Sequence, residues 1–230
     1  MASALTVRTR ITRRTSLLLT AAAAGSLLTG RGNAYSAGSQ SAAKTPLPEL
    51  ASSLDEGVRS GRLQNLHAAV VVHRDEVLLE RYYQGTDEWW GYPLGTVNFG
   101  PTVKHDIRSS SKSVAAASGL RMCPRDFARL GQLVLKGGRW QGTQVVPRQW
   151  MDELTTPRVR ISTDVEYGYQ WYLISGRGAH RWLGARGNGG QYLTVIPDLE
   201  LVVALVAGNY NKGGSVSDAA LADYILPKIS

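Results

Sequence analysis

Two pairs of β-branched and aromatic runs stand at opposite ends of this chain, and any sheet that includes both must bring those ends together. Residues 66–72 and 77–83 flank His73-Arg74-Asp75-Glu76, and residues 191–196 and 199–206 flank Pro197-Asp198. Apolar runs of that length around a short link predict antiparallel pairs. A further strand-like run covers 167–174. Leu50, Leu54 and Val58 recur every four residues and predict a short amphipathic helix ending near Gly61. At the other end, residues 217–226 predict a closing helix with Ala220, Leu221, Tyr224 and Ile225 on one side. Between them, Pro124 in a first turn, the stripe Phe127, Leu130 and Val134, and the stop Gly137-Gly138 predict a helix over 124–136. A second short helix follows Pro147 through Leu154, whereas residues 86–104, rich in Gly, Trp and Pro, read as irregular. This order implies an α+β fold: an antiparallel sheet of about five strands flanked by N- and C-terminal helices.

Charge matters for what the chain can bind. The formal net charge is +8, but residues 1–37 hold Arg8, Arg10, Arg13, Arg14 and Arg31 and no acid. Without them the balance falls to +3, and no basic run with interleaved aromatics remains, so nucleic acid is not an expected partner. The same segment has a basic start, an apolar run over 17–28 and small residues at 34–37, the pattern of an export signal. Arg13-Arg14 directly before the apolar run suits twin-arginine export, and the run is too short to span a bilayer. The expectation is a secreted or periplasmic protein: a signal at 1–37, a flexible lead at 38–48, and one domain over 49–230.

Candidate chemistry centres on Arg108-Ser109-Ser110-Ser111-Lys112-Ser113. If residues 109 onward open a helix, Ser109 and Lys112 share a face, about 5–6 Å apart at Cβ. A serine hydroxyl needs a neighbouring base to become a nucleophile. A lysine can be that base only where burial or a nearby cation leaves its amine neutral. Ser110 and Ser111 lack the spacing. His105 and Asp106 supply triad residue types but are too crowded in sequence to converge on Ser109 from separate elements. His67 and His73 read as ordinary sheet residues. Cys123, the single cysteine, stands before Pro124 as a buried or capping residue, and no Cys/His cluster has metal-ligand spacing. No cofactor or metal is implied.

Several segments together resemble the serine β-lactamase-like hydrolases, which include penicillin-binding proteins, class C β-lactamases, related esterases and 6-aminohexanoate-dimer hydrolases. They are Phe99-Gly100-Pro101, residues 105–113, residues 117–126, Gly131-Gln132-Leu133-Val134 with Gly137-Gly138-Arg139-Trp140, and Gly187-Asn188-Gly189-Gly190-Gln191 with Pro197-Asp198. The resemblance implies a β-lactamase/transpeptidase-like fold in which Ser109 is the nucleophile and Lys112 its base. It places the third family motif near Ala185-Arg186-Gly187, with Ala185 where a cationic or imidazole residue is usual. The glycine-rich Gly187, Asn188, Gly189 and Gly190 would form the strand edge that lines the site and supplies an oxyanion N–H. The same four residues also read as a turn between strands.

The family's second motif, a tyrosine or serine with an asparagine two residues on, is absent. So is the mostly helical domain that carries it, as though excised near 114–116. Tyr167, Tyr169 and Tyr172 lack the asparagine spacing and read as sheet residues. Two functions follow: a secreted serine hydrolase acting on a small amide, ester or peptide-like substrate through an acyl-enzyme on Ser109, or a catalytically inactive family remnant or binding protein. Loss of a covering domain also points to self-association through uncovered apolar surface.

Overall fold

The computed structural model describes residues 47–113, 118–175, 180–212 and 216–229. The export signal, nearly all of the flexible lead and the junction at 114–116 lie outside the described residues. Helix α1 (Pro48–Arg59) is followed by strands β1 (Leu66–His73) and β2 (Glu76–Tyr82). A separate hairpin, β3 (Gln84–Trp89) and β4 (Tyr92–Asn98), comes next. Strand β5 (His105–Asp106) pairs with β6 (Arg121–Met122), and helix α2 (Pro124–Leu135) follows. The small pair β7 (Arg139–Trp140) and β8 (Thr143–Gln144) leads to helix α3 (Arg148–Leu154). The remaining strands are β9 (Val159–Ser162), β10 (Val165–Gly168), β11 (Trp171–Ile174), β12 (Trp182–Gly187), β13 (Gln191–Ile196) and β14 (Leu201–Ala207). Helix α4 (Val216–Ala219) runs on through a π-helical turn, Ala220–Ile225, to close the chain.

One eight-stranded antiparallel sheet organises the fold, in the order β2-β1-β14-β13-β12-β11-β10-β9. The two ends of the chain meet as expected: β1 pairs with β14, Val70 opposite Ala204, and β14 pairs with β13, Val202 opposite Val195. Every residue of β14 is buried, because both faces of the sheet are covered. On one face Leu201, Val203 and Leu205 pack with Leu50 and Leu54 of α1 and with Leu221 and Ile225. On the other, Val202 and Ala204 pack with Phe127 and Leu130 of α2. Strand alternation on β14 and helical spacing on α1 and α2 therefore meet at two cores on opposite faces of one sheet.

The sheet is larger than the five strands expected. The run 167–174 is two strands, because Tyr169 and Gln170 both take positive φ and turn the chain back on itself. Strand β9 adds the outer edge, with Val159 and Ile161 exposed. The stretch read as irregular is also ordered: β3 and β4 pair from Gln84–Asn98 to Trp89–Tyr92 around Trp90-Gly91. Both turn residues have positive φ, the geometry of the two-residue hairpin turns that match strand twist. Trp at the first turn position hides the signal that Asn or Asp would give. The hairpin seats on the end of β14 because Gly208 lets the Thr86 carbonyl approach; a Cβ there would lie 2.4 Å from it.

Among the described residues, no helix is long and apolar enough to cross a membrane.

Candidate active site

The serine cluster forms a 3₁₀ helix, Arg108–Ser113, rather than the start of an α-helix. It leaves β5 through Ile107, whose N–H donates to the Leu120 carbonyl at 3.0 Å. Arg108 then takes φ +49°, a left-handed conformation that costs a side-chain-bearing residue energy. Its surroundings hold it there. The Arg108 N–H donates to Asp106 Oδ1 at 2.8 Å, and its guanidinium pairs with Glu88 Oε1 at 2.8 Å. The guanidinium also lies over the rings of Trp90 and Tyr210, 4.9 and 4.6 Å from their centroids. Asp106 Oδ2 approaches Arg108 Nε to 3.4 Å, an ionic contact without hydrogen-bond alignment.

This clamp sets the direction in which the serines leave. Ser110 Oγ donates to the buried Gln191 carbonyl at 2.7 Å, and Ser111 Oγ accepts from the Leu120 N–H at 3.0 Å. Ser113 Oγ donates to the Gln170 carbonyl at 3.2 Å, which ties the β10–β11 turn to the same helix. Ser109 is half-buried, and among the described residues its hydroxyl is the one of the four with no hydrogen bond. Residues three apart eclipse on a 3₁₀ helix, so Lys112 does lie on the side of Ser109. It is exposed, the opposite of the burial that a lysine base needs.

The glycine-rich segment arrives from β12. Gly187 is the last residue of that strand, and a Cβ there would stand 2.5 Å from the Ile107 carbonyl and 3.1 Å from the Ser110 nitrogen. The strand edge and the serine turn thus touch backbone to backbone. Gly187 pairs with Gln191, so Asn188, Gly189 and Gly190 are the connection between β12 and β13, as the turn reading expected. The Asn188 side chain is turned to Asn211: its Nδ2 donates to Asn211 Oδ1 at 2.7 Å, and its Oδ1 accepts from the Asn211 N–H at 2.8 Å.

Three residues near this site were not singled out from the sequence. Gln191 fixes the junction: its carbonyl accepts from Ser110, and its Nε2 donates to the Ala207 carbonyl at 2.5 Å. Tyr210 packs under Gly189 and donates to Asp87 Oδ1 at 3.0 Å. Trp90 lies against Gly119 and Arg108. Only Gln191 carried any signal, as part of the segment Gly187-Asn188-Gly189-Gly190-Gln191.

Behind Arg108, His67 and His105 are fully buried and face each other. Burial, with the nearby His105, pulls the His67 pKa down to about 3, and burial also lowers that of His105, against a raising influence from Asp87. The His105 ring nitrogens face His67 and the Asp106 carbonyl rather than Ser109. Burial raises the pKa of Tyr82, Tyr83 and Tyr210 as well, reinforced at Tyr83 by Asp55 and at Tyr210 by Asp87. Below about pH 10, where an unfolded-chain tyrosine is neutral, these contributions to stability are fully present. Above it, the unfolded state ionises first and stability is lost. The expected result is a steep fall in the denaturation midpoint above about pH 10, with phenolate absorption at these tyrosines appearing together with unfolding. Tyrosine ionisation that precedes the loss of circular dichroism would contradict it.

Fold and site define a β-lactamase-like α+β domain with a serine turn packed against the end of strand β12. Residues 74–226 match the family model for beta-lactamases, and the chain belongs to that family. A Bacillus anthracis protein provisionally assigned as a 6-aminohexanoate-dimer hydrolase superposes with a TM-score of 0.51 at 12% identity, over 76% of this chain and 80% of that one. A Bacteroides dorei protein provisionally assigned as a beta-lactamase gives 0.58 at 10% identity, over 80% and 98%. These likenesses concern the fold. Among curated proteins, none matches the chain.

Proposed function

We propose that this protein is a serine hydrolase of amide or ester bonds in which Ser109 is the nucleophile. The observation that carries the reading is the unengaged Ser109 hydroxyl, set after a strained, clamped Arg108 and beside the glycine edge at Gly187. Ser109 Oγ would attack the substrate carbonyl carbon and pass its proton to Lys112. Backbone N–H groups of the serine turn and the segment Gly187 to Gly190 would hold the oxyanion. Collapse of the tetrahedral intermediate breaks the amide or ester bond, the leaving group takes the proton, and water then frees the acyl group from Ser109. The substrate class is a small amide, ester or peptide-like molecule.

The exposed Lys112 favours a second reading, a family member without turnover. Intact-mass measurement after treatment with a fluorophosphonate, and separately with a β-lactam, decides between them. A single adduct mapped by peptide sequencing to Ser109 is the expected result. Folded protein with no adduct from either probe supports the second reading.

The twin arginines and apolar run within residues 1–37 support export, and hence a secreted or periplasmic location. N-terminal sequencing of exported protein is expected to begin between about residues 32 and 42 by the small-residue cleavage rule. Cytoplasmic protein retaining Met1 or Ala2 would refute export. The exposed Trp89, Trp90, Tyr92 and Leu94 around the β3–β4 turn support self-association, and light scattering showing a monodisperse monomer would refute it.

A further inference from the structure

The buried histidine pair poses a hydrogen-bonding problem that its surroundings sharpen. His67 Nδ1 and His105 Nε2 are 2.8 Å apart. The outer nitrogen of each ring is already committed. His67 Nε2 lies 3.1 Å from Asn65 Oδ1, and that amide's orientation is fixed, because its Oδ1 accepts the Thr86 N–H at 3.0 Å while its Nδ2 donates to the Thr86 carbonyl at 3.3 Å. His105 Nδ1 lies 3.1 Å from the Asp106 backbone carbonyl. Both partners are acceptors, so both outer nitrogens carry hydrogen. A neutral imidazole has one N–H, which leaves two lone pairs pointing at each other across the inner gap. Neutral rings cannot satisfy that arrangement; a cation between them can.

A carboxylate stands at the same point. Asp87 Oδ1 is 3.8 Å from His105 Nε2, and the three candidate ligand atoms all lie within 4.8 Å of one another. All three residues are buried. Each is held by a hydrogen bond, as metal-binding histidines and carboxylates characteristically are: Asn65 and the Asp106 carbonyl at the outer nitrogens of His67 and His105, and Tyr210 at Asp87 Oδ1 itself, which keeps a second lone pair. Phe99 stacks on His67 at 4.0 Å and shields the pair from one side. The facing cations are Arg121, 3.8 Å from Asp87 Oδ2, and Arg108, which is engaged by Glu88 and Asp106.

We propose that His67 Nδ1, His105 Nε2 and Asp87 Oδ1 bind one divalent transition-metal ion of the zinc type. Two imidazoles and one carboxylate are a ligand set that such ions favour over calcium or magnesium. With metal–nitrogen distances of about 2.0–2.1 Å in a tetrahedral site, the two ring nitrogens need to part to roughly 3.4 Å, a small rotation for two side chains on different strands. No local spacing marks this site, because the three ligands come from β1, β3 and β5 and the two histidines are 38 positions apart. The site lies behind Arg108 and is independent of whether Ser109 turns over substrate. A proton shared between the rings is the competing solution, and it would bury an imidazolium that desolvation opposes.

The test is titration of the metal-stripped full chain with Co2+, followed by displacement with Zn2+. One Co2+ per chain with visible d–d bands, lost on adding Zn2+, is the expected result. Asp87→Asn and His105→Gln should each weaken binding at least about tenfold, and Asn65→Ala, which removes the orienting contact to His67 together with two hydrogen bonds to Thr86, about 10–100-fold. Long-range nitrogen NMR of the wild type gives a readout free of folding defects: Zn2+ should shift His67 Nδ1 and His105 Nε2 while the outer nitrogens stay protonated. No binding by folded wild type at tenfold excess Co2+ would overturn the proposal. So would a shared-proton signal that persists with Zn2+, or binding lost in His180→Ala but kept in His105→Gln.

Discussion

Replacing Ser109 by alanine is expected to abolish probe labelling and any ester hydrolysis while leaving stability within about 0.5 kcal/mol, as for a surface substitution without structural partners. Ser110→Ala and Ser111→Ala should do the reverse. Ser110 donates to the Gln191 carbonyl from a buried position, and Ser111 accepts the Leu120 N–H. Removing the first loses a hydrogen bond worth about 1 kcal/mol, and removing the second strands an N–H at about 1–3 kcal/mol. Labelling of both variants should persist at a reduced rate, because the turn that presents Ser109 is still clamped through Arg108. The contrast separates chemistry from architecture within three adjacent, chemically identical side chains. Chemical denaturation and labelling kinetics measured on the same preparations check it. Equal loss of labelling in all three variants, with equal loss of stability, would make the cluster structural and remove Ser109 as nucleophile.

That division of labour was only half legible in the sequence. The spacing of Ser109 to Lys112 singles out one serine, and periodicity places α1, α2, β1, β2, β13 and β14 to within a few residues, because each has an apolar face with a regular period and a turn or cap at its end. What was hidden depends on contacts distant in sequence. Gln191 reads as one more polar residue until its side chain is seen reaching Ala207 and its carbonyl reaching Ser110. The β3–β4 hairpin turns on Trp90, a residue with no preference for positive φ, which here is held by Arg108 and Gly119. The 3₁₀ form of the serine turn follows from the Ile107, Ser110 and Ser111 tethers rather than from local propensity, since S-S-S-K alone is compatible with either helix. The exposure of Lys112 was likewise invisible: charge and spacing are local, whereas burial is decided by what packs above.

Gly187→Ala is expected to slow labelling of Ser109 by at least about 100-fold, the scale on which a misplacement of about 1 Å acts. The added methyl would sit 2.5 Å from the Ile107 carbonyl, closer than real contacts permit, and 3.1 Å from the Ser110 nitrogen, tighter than most. Both are backbone atoms on the two sides of Arg108-Ser109, so no rotamer change relieves the clash. Either β12 moves outward or the serine turn does, and in both cases Ser109 loses its alignment with the strand edge. Overpacking of this kind costs about 1–3 kcal/mol. Gly184→Ala, three residues earlier on the same strand, provides the control. Its Cβ would meet only side-chain atoms, at 3.7 to 3.9 Å, which is ordinary packing. It should label at the wild-type rate and lose no more than about 0.5 kcal/mol. If Gly187→Ala labels as fast as Gly184→Ala, the close approach of β12 to the serine turn has no part in presenting Ser109. If both are slowed alike, the strand as a whole tolerates no added volume and the effect says nothing specific about the edge. A slow Gly187→Ala beside a wild-type Gly184→Ala would show that bare backbone contact at Gly187 is what aligns the nucleophile.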